Sequence, residues 1–298
     1  MNRLKRAIKD PRIIPIGFLH RASKWIPDEF YLRWMFRLKM GYSLNLKDPK
    51  TFNEKLNWLK LNDRNPIYTQ MADKFTAKRY VEDRIGKEYI VPCYGSWNSF
   101  DEIEFDKLPN QFVLKVTHDS SGVIICKDKA SFDKLKAKDK ISRSMHSNWF
   151  EYYREWVYKN ITPRIIADKY LDDHTGKELR DYKFWCFNGV PMYMYCTIKG
   201  ENVYENFYDM DFSPVNIDHG YPRHYPEFDK PQEFELMKEM SAKLSKDVPF
   251  VRVDFFDVEG HIYFAEFTFY DWGGMQPFRG GWDERLGKLI ILSESSAK

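Results

Sequence analysis

The segment VRVDFFDVEGHIYFAEFTFYDWGG, residues 251–274, constrains the fold of this chain more than any other stretch. Two β-rich runs flank Asp257-Val258-Glu259-Gly260, which carries turn chemistry, so the segment reads as an antiparallel hairpin turning at Glu259-Gly260. Side chains alternate faces along a strand. Arg252 and Asp254 therefore face one way, and Val251, Val253 and Phe255 the other. In the second run Glu266 and Thr268 share a face opposite Ala265, Phe267 and Phe269. The apolar faces demand a second layer, and the pairing brings Asp254 and Glu266 toward one space. Carboxylates brought together repel unless a cation or a proton lies between them. A hard cation such as Mg²⁺ takes carboxylate oxygens and keeps phosphate or water oxygens as its other ligands. Two exposed acids on the open face of a sheet are the plainer alternative.

The rest of the chain supplies layers for such a sheet. Residues 1–88 read as a mainly helical region. Asp28–Met40 is a helix stopped by Gly41, Thr51–Leu61 opens on a Thr51/Glu54 capping box, and Met71–Ile85 is closed by Gly86. The many Lys and Arg here read as a solvated surface. From Tyr89 the texture changes. QFVLKVTH (111–118) and SGVIICKD (121–128) are strands joined by a tight turn, Ser131–Met145 is helical, and RIIADKYLDD (164–173) is a strand leaving through a polar turn, with Gly176 further on. Residues 179–199 form a hairpin turning at Asn188-Gly189, Lys230–Lys246 is helical, and DERLGKLIILSESS reads as a short final helix. This order argues an α+β fold rather than a doubly wound sheet. The expected divisions are 1–88, a small lobe at 89–170 and a large lobe at 171–298.

A lysine inside an apolar strand beside a small-residue turn is an arrangement suited to phosphate. Lys115 in QFVLKVTHDSSG supplies the charge, and the Ser120-Ser121-Gly122 turn supplies N–H and hydroxyl donors. An edge-strand lysine that discourages aggregation is the alternative. Lys183 shares a strand face with Asp181, and Arg252 offers a planar fork for a phosphoryl group. Neither GxGxxG nor GxxxxGK[ST] is present. A net charge of +3 is too mild to argue for nucleic acid. The charge is uneven, however: the first 25 residues mix Lys and Arg with Leu4, Ile8, Ile13, Ile14, Ile16, Phe18 and Leu19. Such a segment fits either a peripheral anchor on the anionic inner leaflet of a membrane or an ordinary helix and loop packed on the domain. There is no signal-peptide pattern and no spanning run. The four cysteines, at 93, 126, 186 and 196, form no CxxC pair and read as reduced cytoplasmic residues, mostly buried.

Taken in order, TFNEKLNWLK, FVLKVTHDSSG, YREWVYKNITPRIIADKYL, RDYKFWCFNG, VRVDFF and IYFAEFTFYDWGGMQPF resemble the TupA-like branch of the ATP-grasp superfamily, from about Thr51 to Leu292. The branch is linked to bacterial cell-surface polysaccharide synthesis. The resemblance implies two α+β lobes clasping ATP and a carboxylate–amine ligase working through an acyl phosphate with ATP and Mg²⁺, Mn²⁺ being a substitute. It implies that Lys115 reaches the ATP phosphates and that the 119–122 turn closes over them as a flexible loop. It also implies that Asp168, Lys169, Tyr170 and Leu171 pass the adenine and ribose, the adenine edge meeting backbone groups of Lys169 and Leu171. Lys183 resembles a second phosphate lysine, Arg252 a clamp for the transferred phosphoryl group, and Asp254 and Glu266 the metal-binding carboxylates. Thr268 stands where relatives often carry Asn, and Asp168 where many carry Glu. His118 and Asp271 are candidate bases. The aromatic set Tyr204, Phe207, Tyr208, Tyr221, Tyr225, Tyr270 and Trp272 either stacks on sugars or belongs to core and rim. The implied substrates are an amino acid or peptide and a uronic-acid-containing saccharide. A nucleotide-sugar glycosyltransferase, which would bind UDP-sugars and release no ADP, and a non-catalytic nucleotide- or polysaccharide-binding protein are the rival readings.

Overall fold

The computed structural model describes residues 10–174, 179–199 and 202–292. Gly176, residues 1–9 of the basic start and the Ser293–Ser296 part of the final run lie outside the described residues.

The chain enters through helices α1 (Ile13–Ala22) and α2 (Asp28–Met40). Acids in the first turn of α2, bases in its last and left-handed Gly41 at its end complement the helix ends. Its buried side, Tyr31, Leu32, Met35 and Phe36, packs with Leu44 and Met275. Helix α3 (Phe52–Asn62) has the expected capping box, with Thr51 accepting from the Glu54 amide.

The expected helix at 71–85 is instead two, α4 (Ile67–Ala72) and α5 (Ala77–Ile85). Asp73 is the reason: its carboxylate accepts from the Phe75 and Thr76 amides, offering those groups a partner outside the helical pattern. Lys74 at the break joins the sheet region, its amide donating to the Thr117 carbonyl.

Two antiparallel sheets follow. The smaller has strands β1 (Cys93–Trp97), β2 (Phe112–Val116), β3 (Val123–Cys126) and β4 (Ile165–Lys169) in the order β1-β4-β2-β3. Phe112, Leu114, Val116 and Ala167 face helix α6 (Lys134–Met145), which buries Ala137 and Ile141 against them. Strand alternation then leaves Lys115 and Asp168 on the other face. A short helix α7 (Trp149–Tyr153) precedes β4.

The larger sheet contains β5 (Asp181–Phe187), β6 (Val190–Lys199), β7 (Val203–Asp209), β8 (Pro214–Val215), β9 (Phe250–Val258) and β10 (His261–Thr268), ordered β10-β9-β5-β6-β7-β8. Its hairpins turn at Asn188-Gly189 and Glu259-Gly260 as expected. Strand β7 had no clear signal, because Val203–Asp209 mixes Glu205 and Asn206 with aromatics and both polar side chains are buried. Helix α8 (Phe234–Leu244) covers one face, with the Phe234 ring 5.7 Å from that of Phe184. Part of the other face lies under α3, where Phe52 meets Trp185 and Phe250 at 5.7 and 4.9 Å. The final helix α9 (Trp282–Leu289) packs near α3, whose Asn53 bonds Asp283 at 2.9 Å.

Candidate active site

Asp254 and Glu266 do share a face, but only because the hairpin carries a bulge. From the turn, Val258 pairs with His261 and Phe255 with Phe264. Continued unbroken, that register would set Ala265 opposite Asp254 and turn Glu266 to the core side with Val253. The ladder slips by one residue between Phe264 and Glu266. Beyond the slip Glu266 lies opposite Asp254 and Thr268 opposite Arg252. The buried positions of β10 record the change of phase: Ile262 and Phe264 before it, then Phe267 and, just past the strand, Phe269.

Arg252 sits among three carboxylates. Its Nε and Nη2 donate to Asp254 at 2.7 Å each, and Nη1 donates to Asp271 at 2.6 Å and to the Tyr195 hydroxyl at 3.1 Å. Glu266 accepts more loosely from Nη2, at 3.5 Å. Lys183, opposite Asp254 on β5, bonds Asp181 at 2.8 Å. Burial pushes the Asp254 carboxyl up to about 6, against the pull of Arg252 and Lys183. Glu266 behaves oppositely. Burial would raise it, but Lys74, Arg252, Lys183 and Lys115 together hold it below the ordinary value. Lysines from both sheets and from the α4–α5 break thus act on one carboxylate.

On the smaller sheet Lys115 Nζ donates to Asp168 Oδ2 at 3.0 Å, and Lys78 Nζ lies 3.0 Å from Oδ1. Lys74 Nζ lies 3.5 Å from Glu266. Lys74 and Lys78 correct the reading of the helical region as a solvated surface, and so does Lys60, which is fully buried. The Asp73 interruption was the signal that could have found Lys74, since it takes residues 73–76 out of the helix, whereas Lys78 lies within α5. Asp168 is committed to two of these lysines. Its carboxylate is buried between Lys78 and Lys115. The Lys169 amide donates to the Pro92 carbonyl, so that N–H is not free for an adenine edge. Tyr170 and Leu171 are half-buried beyond the strand end.

The turn after β2 is anchored rather than loose. Asp119 accepts from the Ser121 amide at 3.0 Å and hydroxyl at 2.5 Å, and from the hydroxyls of Ser144 and, at 3.3 Å, Ser147. Burial would raise this carboxyl, yet those bonds hold it below its ordinary value. Gly122 is buried, and a Cβ there would meet Val116 at 2.7 Å. Ser121 is thus committed to Asp119, and Ser120 is the member of the turn that lines the neighbouring cavity.

That cavity, about 520 Å³, lies beside Arg252, Glu266 and Thr268. Its far wall includes Glu155, Tyr158 and Trp272. Trp272, Gly273 and Gly274 all have positive φ, so the chain turns sharply after Tyr270. A polar stripe on α3 holds this turn by its carbonyls: Lys60 donates to Gly273 at 2.6 Å, Asn57 to Gly274 at 2.7 Å and Asn53 to Gln276 at 2.9 Å. The turn in turn fixes Asp271, which accepts from Arg252 and from Trp185 Nε1 at 2.8 Å. Asp271 is therefore a partner for Arg252 and not a free base. His118 is buried with Nε2 against the Ser147 carbonyl. Of the aromatic set, Phe207, Tyr208 and Tyr270 are core residues. Tyr221 and Trp272 pack together at the rim, with ring centres 5.3 Å apart.

Among the described residues no group of three or more His, Cys, Asp or Glu side chains forms a metal cage. The donor set at Asp254 and Glu266 fits a different kind of cation site. Magnesium held by one or two carboxylates completes its shell with water and substrate phosphates. Each carboxylate oxygen bonded by Arg252 also keeps a second lone pair.

A family model described as TupA-like ATPgrasp matches residues 54–291. Comparison with curated proteins finds no match. Among solved structures, D-alanine–D-alanine ligase from Bacillus anthracis complexed with ATP is 18% identical over 66% of this chain and 54% of that one, with a TM-score of 0.39. The ligase of that name from Helicobacter pylori is 15% identical over 74% and 61%, with a TM-score of 0.40. The ATP-grasp ligase PsnB with minimal precursor, Mg and ADP is 9% identical over 72% and 57%, with a TM-score of 0.38. The chain thus spans less than two thirds of the length of each of these three.

Proposed function

Because the chain belongs to the TupA-like ATP-grasp family, we propose that it is an ATP-dependent carboxylate–amine ligase. In this reading it joins an amino acid or peptide to a uronic-acid-containing surface polysaccharide or its precursor, through an acyl phosphate. The observation that carries the reading is the meeting of Lys74 and Arg252 at Glu266, each 3.5 Å away, next to Asp254, with Lys183 opposite Asp254 on the neighbouring strand.

The residues divide the work by charge. Lys115 from the smaller sheet and Lys78 from α5 hold the anionic phosphates on one side, and Lys183 does so from the larger sheet. Asp254 and Glu266, with Thr268 beside them, would hold magnesium brought with ATP, which supplies neutralisation of phosphate charge during transfer. Arg252, whose planar guanidinium is held in place by Asp254 and Asp271, faces the γ-phosphoryl group as it leaves ADP for the substrate carboxylate. The incoming amine then attacks the carbonyl carbon of the acyl phosphate, so that the C–N bond forms as the C–O bond breaks and inorganic phosphate leaves, and the amine gives up a proton. Glu155 is the better-placed base for the amine proton. It is buried, lines the cavity, and has its carboxyl pushed up to about 7 by burial against the pull of Lys60. The cavity beside Arg252 is the acceptor space, with Tyr221 and Trp272 offering a stacking rim to a sugar.

A nucleotide panel read by thermal shift tests the class. ATP with Mg²⁺ raises the melting temperature and UDP-sugars do not, since only a ligand of the folded state stabilises it. Stabilisation by UDP-sugars alone contradicts the reading. Amine-dependent ADP release with uronic acids as carboxylate donors tests the substrate class.

A further inference from the structure

Helices α1 and α2 carry a surface that the cleft chemistry does not use. Their inner sides pack on the chain, but Trp25 is 83% exposed, Phe18 69%, Phe30 63% and Trp34 57%. With Pro15, Leu19, Ile26, Pro27 and Leu38 these residues line one open groove of about 570 Å³. Phe30, Trp34 and Leu38 follow a four-residue spacing, so they form a stripe along α2. Ile14 extends the apolar surface on α1 at 67% exposure. Soluble surfaces scatter large apolar residues singly, and a contiguous patch of aromatics marks an interaction site.

Charge identifies the partner. Residues 1–40 hold ten Lys and Arg against three Asp and Glu, whereas the whole chain has an excess of only three. The remainder of the molecule is therefore net acidic, and the positive charge is concentrated on the segment that carries the exposed aromatics. Arg21 and Lys24 are exposed beside Phe18 and Trp25, Lys24 lying 3.5 Å from Glu151, and Arg37 is exposed beside the Phe30–Trp34 stripe, whereas Arg33 is held by Glu29 and the Leu44 carbonyl. A basic rim around exposed Trp and Phe matches the lipid–water interface of an anionic bilayer, where rings enter at headgroup depth and cations meet phosphates. No helix among the described residues is long and apolar enough to cross a membrane, so the contact is one of lying on the surface.

We infer that α1 and α2 dock the protein on an anionic lipid surface through Phe18, Trp25, Phe30 and Trp34, with Arg21, Lys24 and Arg37 on the phosphates. The inference is independent of the ligase reading. Flotation of the full chain with phosphatidylglycerol-containing vesicles and with pure phosphatidylcholine vesicles tests it. The chain is expected to float with the anionic vesicles alone and to be released as salt screens the cations. The triple variant Trp25→Ser/Phe30→Ser/Trp34→Ser is expected to lose binding by about tenfold or more. The variant Arg21→Glu/Lys24→Glu is expected to lose binding and its salt dependence. Both variants retain wild-type far-UV circular dichroism and ATP-induced thermal shift. No flotation of the wild type, equal flotation with neutral vesicles, or undiminished flotation of the triple variant overturns the inference. A dimer in light scattering that the triple variant abolishes also overturns it, assigning the patch to a second copy of the chain.

Discussion

On the small-sheet wall of the cleft two ammonium groups, Lys78 and Lys115, share the single carboxylate of Asp168. On the large-sheet wall four carboxylates, Asp181, Asp254, Glu266 and Asp271, face three cations, Arg252, Lys74 and Lys183. The first wall has cations to spare and the second has anions to spare. Both are built on antiparallel strands whose apolar alternate residues pack against a helix. What differs is the supply of the second layer of charge. Residues 74 and 78, from the broken helical segment, bring one lysine to each wall, and the wall with more acids remains short of positive charge. This inversion suits a ligand that is itself split, an anionic phosphate chain carrying a divalent cation at one side.

The comparison breaks most visibly if the acid-rich wall loses its charge. Asp254→Asn and Glu266→Gln keep shape, and each is expected to lower ATP-dependent ADP formation by orders of magnitude, as measured by a coupled assay. Equal loss without added Mg²⁺-dependence in ATP binding would remove the metal role. On the opposite wall Lys115→Ala is expected to weaken ATP binding by roughly 10- to 100-fold, the worth of a charge-assisted hydrogen bond. Lys78→Ala is expected to cost less, because Lys78 also donates to the Val91 carbonyl and so is partly committed to the fold. Calorimetry with a non-hydrolysable analogue measures both.

The acids of the second wall also differ in their protons. Asp254 holds its proton to about 6 in the folded chain, against an ordinary value of 3.8. The folded state therefore binds more protons than the unfolded one between those values, and stability falls as pH rises through that window. Glu266 is held below its ordinary value, so its contribution is present above that value and is lost as pH falls through the lowered one. In thermal melts from pH 4 to 7, Asp254→Asn is expected to lessen the decline, the share of the likewise raised Glu155 remaining, and Glu266→Gln to leave it in place. The smallest effect is expected of Thr268→Ala, a severalfold rise in the Mg²⁺ requirement, since a hydroxyl binds a hard cation less strongly than a carboxylate.

The two walls were also unequally legible. Lys115, Asp168 and their strands follow from plain alternation between apolar neighbours, and the turns at Asn188-Gly189 and Glu259-Gly260 carry their own chemistry. The carboxylate pair was placed correctly for an incomplete reason, because parity alone would have separated Glu266 from Asp254. The information was in the apolar spacing of Ile262, Phe264, Phe267 and Phe269, two then three then two, which marks the bulge. Lys74 was hidden because a surface lysine and a cleft lysine look alike until the Asp73 interruption is seen, and Lys78, inside α5, carries no such mark. Asn53, Asn57 and Lys60 read as the polar side of an amphipathic helix, yet they are buried on carbonyls of the 273–276 turn. No local pattern announces a polar stripe whose partners lie more than 200 residues away.

Anomalous diffraction from crystals grown with Mn²⁺ and a non-hydrolysable ATP analogue tests the split-charge account most directly. The expected result is a manganese peak roughly 2 Å from oxygens of Asp254 and Glu266, the distance of direct hard-cation ligation. The phosphate chain is expected to run from that ion toward Lys115 and Lys78. A peak more than about 4 Å from both carboxylates, or phosphates lying away from the Lys115 wall, would contradict it.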